Sequence, residues 1–186
     1  MVSTERTNRV WWAAAEAERL VSPLGDRWQH VKGVVAMAET LRPLFSKDDA
    51  DTLLAAAYLH DIGYAPELMD TGFHPLDGAR YLRAISEERL ACLVAHHTEA
   101  RIEAQLRGLQ RELDEFPREE SPIADALTAC DIQTGPTGQH LTLDERGADI
   151  QRRYGAHHLV TRAFALALPS YHHAVALTAK RLMQME

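Results

Sequence analysis

The stretch YLHDIGY, residues 58–64, places a histidine and an aspartate side by side at the end of an apolar run. The run itself, LLAAAYL at 53–59, is entirely apolar or aromatic, which is typical of a segment buried in a protein core. His60 and Asp61 are costly to bury unless they are paired or bind a metal ion. The position of this pair therefore indicates a functional site at the edge of the core.

On either side of this stretch the sequence predicts helices. Ser46, followed by Asp48 and Asp49, is typical of a helix N-cap with acidic residues in the first turn, and Gly63 is typical of a helix end. Apolar spacing, caps and prolines predict the other helices at 5–20, 27–42, 74–85, 86–107, 121–133, 143–155 and 157–184. The segment 108–120 is expected to be a turn of helix plus loop. We therefore expect an all-α fold of about eight helices, with 1–186 forming one domain.

The composition and charge of the chain indicate which kinds of binding partner can be excluded. The 186 residues carry a formal net charge of -7 and no Lys/Arg run, which argues against binding to long nucleic acids. No apolar run reaches the roughly 18 residues that span a bilayer, and MVSTERTNRV lacks the pattern of a signal peptide. Cys92 and Cys130 are too few to predict a disulfide framework. The expectation is a cytoplasmic protein with no membrane partner.

Further histidines and an aspartate stand in or beside apolar sequence along the chain. With the first pair they form the ordered set His30, His60, Asp61, His74, His96, His97 and Asp131. Any one of these residues alone is most readily a hydrogen-bonded structural residue. Together they fall on helices that must share one small core, and imidazole with carboxylate suits divalent Fe, Mn, Co, Ni or Zn. The set predicts a site for one or two divalent transition metals.

The motifs resemble those of the HD superfamily of metal-dependent phosphohydrolases. HDIG at 60–63 matches its signature, RWQHV at 27–31 is similar to its first-histidine segment, and ACD at 129–131 to its final aspartate. The resemblance covers about residues 24–135 and implies an all-helical bundle. The helices of 143–184 lie outside it, and from their position we expect them to pack on the bundle. It implies that His30, His60, Asp61 and Asp131 coordinate a metal. It also implies that His60 and Asp61 converge at a helix end, where Gly63 would supply backbone freedom.

Two later segments resemble the dinuclear branches of that family. These segments are FHPLDGA at 73–79 and AHHT at 95–98. The resemblance implies a second ion held by Asp61 as a bridge, by His74, and by either His96 or His97. The chain departs from those branches in its short spacing between His60 and His74, in Tyr64 where many members have Lys, and in lacking the GYP tripeptide.

The function implied is hydrolysis of a phosphate ester or anhydride of a small molecule, such as a nucleotide, by a metal-activated water. Asp61 would be central to catalysis, and Arg27 could face the metal site almost one helical turn before His30. His74 or His97 could donate a proton to the leaving oxygen if one ion binds. The alternatives are an HD-type diiron oxygenase and a non-catalytic metal-binding module. Phosphonate-cleaving oxygenases carry a Tyr and a Glu shortly before the first histidine, and the first 57 residues contain no Tyr.

Other residues have weaker signals. Arg101, Arg152 and Arg153 are candidate phosphate contacts by charge type alone. His157, His158, His172 and His173 are expected to be structural or exposed. Trp11 and Trp12 are interpreted as core residues or as contacts of a homo-oligomer. Residues 136–186 resemble no known substrate-binding motif, and from their position they are expected to pack over the bundle and shape the pocket.

Overall fold

Helices make up the fold. The computed structural model describes residues 2–184, with side chains from residue 9 onward, and contains no β-strand within that range. The helices are α1 Val2–Val21, α2 Asp26–Thr40, α3 Lys47–Leu59, α4 His74–Ala84, α5 Glu88–His96, α6 Ala100–Arg107, α7 Gln110–Leu113, α8 Pro122–Ile132, α9 Leu143–Tyr154 and α10 Leu159–Met183. The all-α prediction is confirmed.

Helix α3 occupies the centre of the bundle. Its first turn is capped by Ser46, whose hydroxyl accepts a hydrogen bond from the Asp49 backbone N–H at 3.2 Å, as the sequence predicts. From Ala50 to Leu59 all but Tyr58 are buried, because α1, α2, α5 and α8 surround the helix. Burial on all sides explains why the segment is apolar without the periodicity of a surface helix. The end of α3 is consequently held at a fixed place within the core.

The prediction of one helix over 86–107 is wrong. Helix α5 ends at His96, and α6 begins at Ala100 after a short 3-10 turn. Thr98 and Glu99 break the helix, with left-handed φ angles of 50° and 54°. Such angles are rare for residues other than glycine, and they require compensating contacts. The break turns the chain at the two histidines 96 and 97.

The C-terminal helices lie against the bundle. Thr142 and Glu145 form a capping box that starts α9. Helix α10 continues through Pro169 and packs against α6, α8 and α9. Tyr171 of α10 joins a second apolar cluster with Ile132 of α8. This packing brings α9 and α10 to the same end of the molecule as the last turn of α3.

The adjacent tryptophans Trp11 and Trp12 differ in environment. Trp12 packs against the main core, whereas Trp11 is 71% exposed. The structure thus assigns Trp12 to the core, and a homo-oligomer stays a prediction. Within residues 2–184, no helix combines the length and the hydropathy needed to cross a membrane.

Candidate metal centre

The pair His60–Asp61 converges because the backbone leaves the α-helix between them. His60 is the C-cap of α3, and Asp61 has φ -105° and ψ 7°, outside the helical region. Adjacent residues within a helix point about 100° apart, so this departure is needed to aim both side chains at one place. His60 Nε2 lies 3.4 Å from Asp61 Oδ2.

Gly63 enables this geometry in a different way from the one the sequence predicts. Its φ is not among the positive values of the chain, so backbone freedom is not what it supplies. A Cβ at this position would stand 2.0 Å from the carbonyl oxygen of His74 and 2.7 Å from the backbone nitrogen of Gly78. Gly63 is therefore the point where α4 approaches the end of α3 closely, and this approach places His74 beside Asp61.

A first group of ligand atoms comes from α2, α3 and α8. His30, His60 and Asp131 are all buried and point to one place. His30 Nε2 lies 3.0 Å from Asp131 Oδ1 and 3.3 Å from His60 Nε2. Asp61 Oδ2 lies 3.7 Å from His30 Nε2, and so it borders the same group.

A second group lies on the other side of Asp61. It contains Asp61, His74 at the start of α4 and His97 just after α5. Asp61 Oδ1 lies 3.3 Å from His74 Nε2, which in turn lies 3.3 Å from His97 Nε2. The two carboxylate oxygens of Asp61 thus face different groups, which is the geometry of a bridging ligand.

Backbone carbonyl groups fix the orientation of three of the imidazoles. The Nδ1 of His60 donates to Ala57 O at 2.8 Å, and that of His97 donates to Val94 O at 2.6 Å. His30 Nδ1 lies 3.1 Å from the carbonyl oxygen of Gly135. A hydrogen bond at Nδ1 leaves the Nε2 lone pair free to ligate, as in histidines that bind metals in proteins.

The donor set fits divalent ions. Two pairs of imidazole nitrogens, His30 with His60 and His74 with His97, face each other at 3.3 Å. Two lone pairs directed at each other are unfavourable unless a proton or a cation lies between them. Nitrogen ligands about 2.1 Å from a tetrahedral ion lie about 3.4 Å apart. In each group, therefore, the two imidazole nitrogens have the spacing of ligands that share one ion.

The charges of the first group favour a cation. Burial opposes ionisation of Asp61, but Arg27 and His60 hold the pKa of its carboxyl well below the usual range. Burial opposes ionisation of Asp131 too, but the contact between its Oδ1 and His30 Nε2, together with the charge of His60, still lowers the pKa of Asp131 strongly. Burial lowers the pKa of His60, yet the two carboxylates outweigh burial and raise it to about 9. Without a metal, a proton on His60 supplies the positive charge that an ion would otherwise bring.

The second group has neutral histidines. Burial lowers the pKa of His74 well below its normal value, and burial with the nearby charge of His60 lowers the pKa of His97. Both rings are therefore unprotonated near neutral pH, which is the state that binds metals.

The structure distinguishes between the two adjacent histidines. His97 belongs to the second group, while His96 points away and its Nε2 lies 2.6 Å from the carbonyl oxygen of Phe116. His96 is the last residue of α5, while His97 is its C-cap with φ -57° and ψ 145°, so the two side chains point in different directions. His96, predicted as an alternative ligand, lies outside the cluster.

Arg27 and Tyr64 form one wall of the site. Arg27 Nη1 donates to Asp61 Oδ2 at 2.9 Å. The Arg27 guanidinium carbon lies 4.1 Å from the centroid of the Tyr64 ring, and that ring stacks on His74 at 4.0 Å. Tyr64 therefore holds Arg27 and His74 in place by stacking.

Sequence patterns did not predict that Thr98 and Tyr171 contribute to the site. The Thr98 hydroxyl donates a short hydrogen bond to Asp131 Oδ2, and the Tyr171 hydroxyl donates to the Thr98 carbonyl at 3.1 Å. These contacts offset the left-handed backbone at Thr98 and fix the orientation of Asp131. The motif AHHT contains the threonine, but no sequence signal shows that the helix breaks there.

A cavity of about 600 Å³ opens onto the cluster. Its lining includes Arg27 and ligand atoms of both groups, and also residues of α9 and α10. Of the other arginines considered from the sequence, Arg153 lines this cavity, whereas Arg152 is 74% exposed and Arg101 lines a different cavity. Cys130 is buried in the core. The cavity has the size of pockets that enclose small-molecule ligands.

The fold is all-helical, and two histidine–aspartate groups meet at the carboxylate of Asp61. These features are those of an all-α protein with a metal-binding site. A scan against protein-family models matches the HD domain over residues 27–132, more than half of the chain. The chain therefore belongs to the HD domain family, whose members are generally metal-dependent hydrolases. Searches of curated proteins and of solved structures gave no significant match.

Proposed function

We propose that this protein is a metal-dependent phosphohydrolase that cleaves a phosphate ester or anhydride of a small molecule at a two-ion site. The observation that supports this most strongly is the position of Asp61, whose Oδ2 borders His30 and His60 while its Oδ1 borders His74. His30, His60 and Asp131 would hold one ion, His74 and His97 the other, and Asp61 both.

Divalent ions at such a site would supply a water of lowered pKa and would polarise a phosphoryl oxygen. The residues of the chain supply the rest. Arg27 lines the cavity and uses one N–H to bind Asp61, so its other donors are available to a phosphoryl oxygen. The burial of His30, His60 and Asp61 lowers the local dielectric constant, which strengthens the charge interactions among the ligands.

The proposed role of His97 is ligation. Its Nδ1 hydrogen is donated to Val94 O, and burial lowers its pKa, so Nε2 carries no proton near neutral pH. A histidine in this state cannot donate a proton to a leaving oxygen. The proton-donor role considered from the sequence is therefore not part of the proposal.

The experiment is phosphate release from a panel of nucleotides, sugar phosphates and dinucleotide polyphosphates, with protein loaded with Mn, Co, Ni, Fe(II) or Zn. His97→Gln and His96→Gln form a matched pair, because the two residues are adjacent and only His97 lies in the cluster. We expect release by the parent protein and by His96→Gln, and only background release by His97→Gln and Asp61→Ala.

No release from any compound by protein that carries metal would contradict the proposal. Consumption of O₂ by the Fe(II)-loaded protein, without phosphate release, would assign it to the oxygenase class instead. Release that survives in Asp61→Ala would point to a contaminating phosphatase.

A further inference from the structure

Arg146 of α9 lies in the cavity but outside the residues that match the HD domain. Its side chain is only 12% exposed. The Nε atom is buried and has no hydrogen-bond partner among the described residues. A buried guanidinium with an unmet donor is costly, so its presence beside a cavity calls for an explanation.

The charge of Arg146 is less well compensated than that of the other arginines lining the cavity. Each of those has a carboxylate partner at hydrogen-bond distance. The pairs are Arg27–Asp61 at 2.9 Å, Arg107–Glu103 at 2.7 Å and Arg153–Asp149 at 2.8 Å. Arg146 comes no closer than 3.9 Å to Asp149. The oxygens of Asp149 accept closer hydrogen bonds from Arg152 and Arg153, and Arg146 has only the more distant contact with this carboxylate.

The wall around Arg146 combines apolar and polar side chains. From α9 and α10 the apolar lining residues are Ile150, Val160, Ala163 and Phe164, and the polar ones besides Arg146 are Arg153, Tyr154 and Tyr171. Apolar lining with a few polar groups, one of them a buried cation, is typical of a pocket that binds a small molecule by shape and fixes its orientation by polar contacts. A planar guanidinium suits phosphate or carboxylate, which it can bind through two parallel hydrogen bonds.

We propose that Arg146 binds a second anionic group of the substrate, separate from the phosphoryl group that is cleaved. The substrate class is then a small phosphate ester that carries another phosphate or a carboxylate, with an apolar portion against α9 and α10. This inference rests on the proposed function for the cleaved group. The cleaved group belongs at the histidine–aspartate cluster, to which α9 contributes no residue, and the cavity has room for more than a phosphate.

The first test is binding of inorganic phosphate to the metal-free protein at low ionic strength, by calorimetry. The variants are Arg146→Met, which keeps the length of the side chain without its charge, Arg146→Lys, which keeps the charge, and the control Arg162→Gln, which changes an exposed arginine of α10 outside the cavity lining. We expect Arg146→Met to weaken phosphate binding at least tenfold, because it removes a charged hydrogen-bond donor. Arg146→Lys should bind with intermediate affinity, and Arg162→Gln should bind like the parent protein.

Thermal stability shows whether Arg146 is instead a structural residue. Because its charge is buried and poorly paired, Arg146→Met should melt at the parent temperature or higher in phosphate-free buffer. A fall of several degrees, or equal phosphate binding by the parent protein and Arg146→Met, overturns the proposal. Absence of phosphate binding by the parent protein also overturns it, and this result does not depend on catalysis.

The second test uses metal-loaded protein and two substrates, p-nitrophenyl phosphate and a nucleoside 3′,5′-bisphosphate. Arg146→Met should lower kcat/KM at least tenfold for the bisphosphate and less than threefold for p-nitrophenyl phosphate. An equal fall for both would place Arg146 on the cleaved phosphoryl group and overturn the proposal. If neither substrate is hydrolysed by the parent protein, the full panel of phosphorylated compounds decides the proposed function, and the phosphate titration alone decides the role of Arg146.

Discussion

Asp131 depends on a neighbour that the sequence does not reveal. Its Oδ1 faces His30, and its Oδ2 accepts the short hydrogen bond from the Thr98 hydroxyl. A carboxylate with one oxygen held in this way can present only the other to an ion. Thr98 is therefore a positioning residue for the first ligand group.

Removal of the Thr98 hydroxyl should weaken metal binding. Thr98→Val keeps the shape and the β-branching but leaves Asp131 Oδ2 without its donor. Loss of such an outer hydrogen bond typically costs about 10–100-fold in metal affinity, and we expect a value in this range. Thr98→Ser keeps the hydroxyl and should bind metal like the parent protein. Equal affinities of Thr98→Val and the parent protein, measured by calorimetry, would contradict this role.

At the scale of elements, the contact between the end of α3 and the start of α4 brings His74 to Asp61 in the second ligand group. Gly63 lies against the backbone of His74 and Gly78, with no room for a Cβ. The sequence predicts a helix end here, but it cannot show that a second helix approaches at this point, because the approach is a long-range contact.

Gly63→Ala should therefore disturb α4 and the second ion. Forcing extra volume into packed structure typically costs about 1–3 kcal/mol, and we expect at least that loss in the free energy of unfolding by urea. The control is Gly72→Ala in the same loop, where φ is 72° and nothing lies within 4 Å of the added Cβ. It should cost about 1 kcal/mol from backbone strain and keep the full metal content. A Gly63→Ala protein as stable as the parent protein and with its full metal content would refute this account.

The break between α5 and α6 shows where sequence patterns stop being informative. Neither Thr98 nor Glu99 favours a left-handed backbone, so local preference predicts one continuous helix. The break persists because Asp131 and Tyr171 bind Thr98, while Arg101 and Arg118 bind Glu99. Apart from Arg101, which is two residues from Glu99, these partners lie on other parts of the chain, and their positions follow only from the assembled fold.

For the whole molecule, the all-α class and the family could be predicted from the sequence. The helices have local caps and apolar spacing, and the ordered HDIG, His30 and Asp131 motifs carry the family resemblance. The cavity wall could not be predicted in the same way. Arg146 and Tyr171 reach the site only through the packing of α9 and α10 on the bundle, for which the sequence has no motif.

The electrostatics of the metal-free cluster predict that metal binding depends on pH. His60 has a pKa raised from 6.5 to about 9 by Asp61 and Asp131 against the effect of burial, so an ion must displace its proton. We expect metal affinity to rise about tenfold per pH unit between about pH 7 and 9 and to release one proton per first ion. Calorimetry in buffers of different ionisation enthalpy measures that proton. Affinity independent of pH over this interval would be inconsistent with a protonated His60.

The raised pKa of His60 also affects the stability of the metal-free protein. Because the folded pKa of His60 is raised, its charged form stabilises the fold fully below about pH 6.5. That contribution is lost as the pH rises toward about 9. Urea titrations at pH 6.5 and 9 should show a stronger stabilisation by added metal at the higher pH, and the opposite order would count against this assignment.

The central claim is that Asp61 joins two ions, and metal content tests it most directly. Elemental analysis of metal-loaded, desalted protein should find two ions per parent chain, one in His74→Ala and none in Asp61→Ala. His96→Gln should retain two, and circular dichroism should show the helical fold in every variant, because the bundle core is formed by apolar side chains. Two ions in Asp61→Ala, or as many in His74→Ala as in the parent protein, would contradict the account.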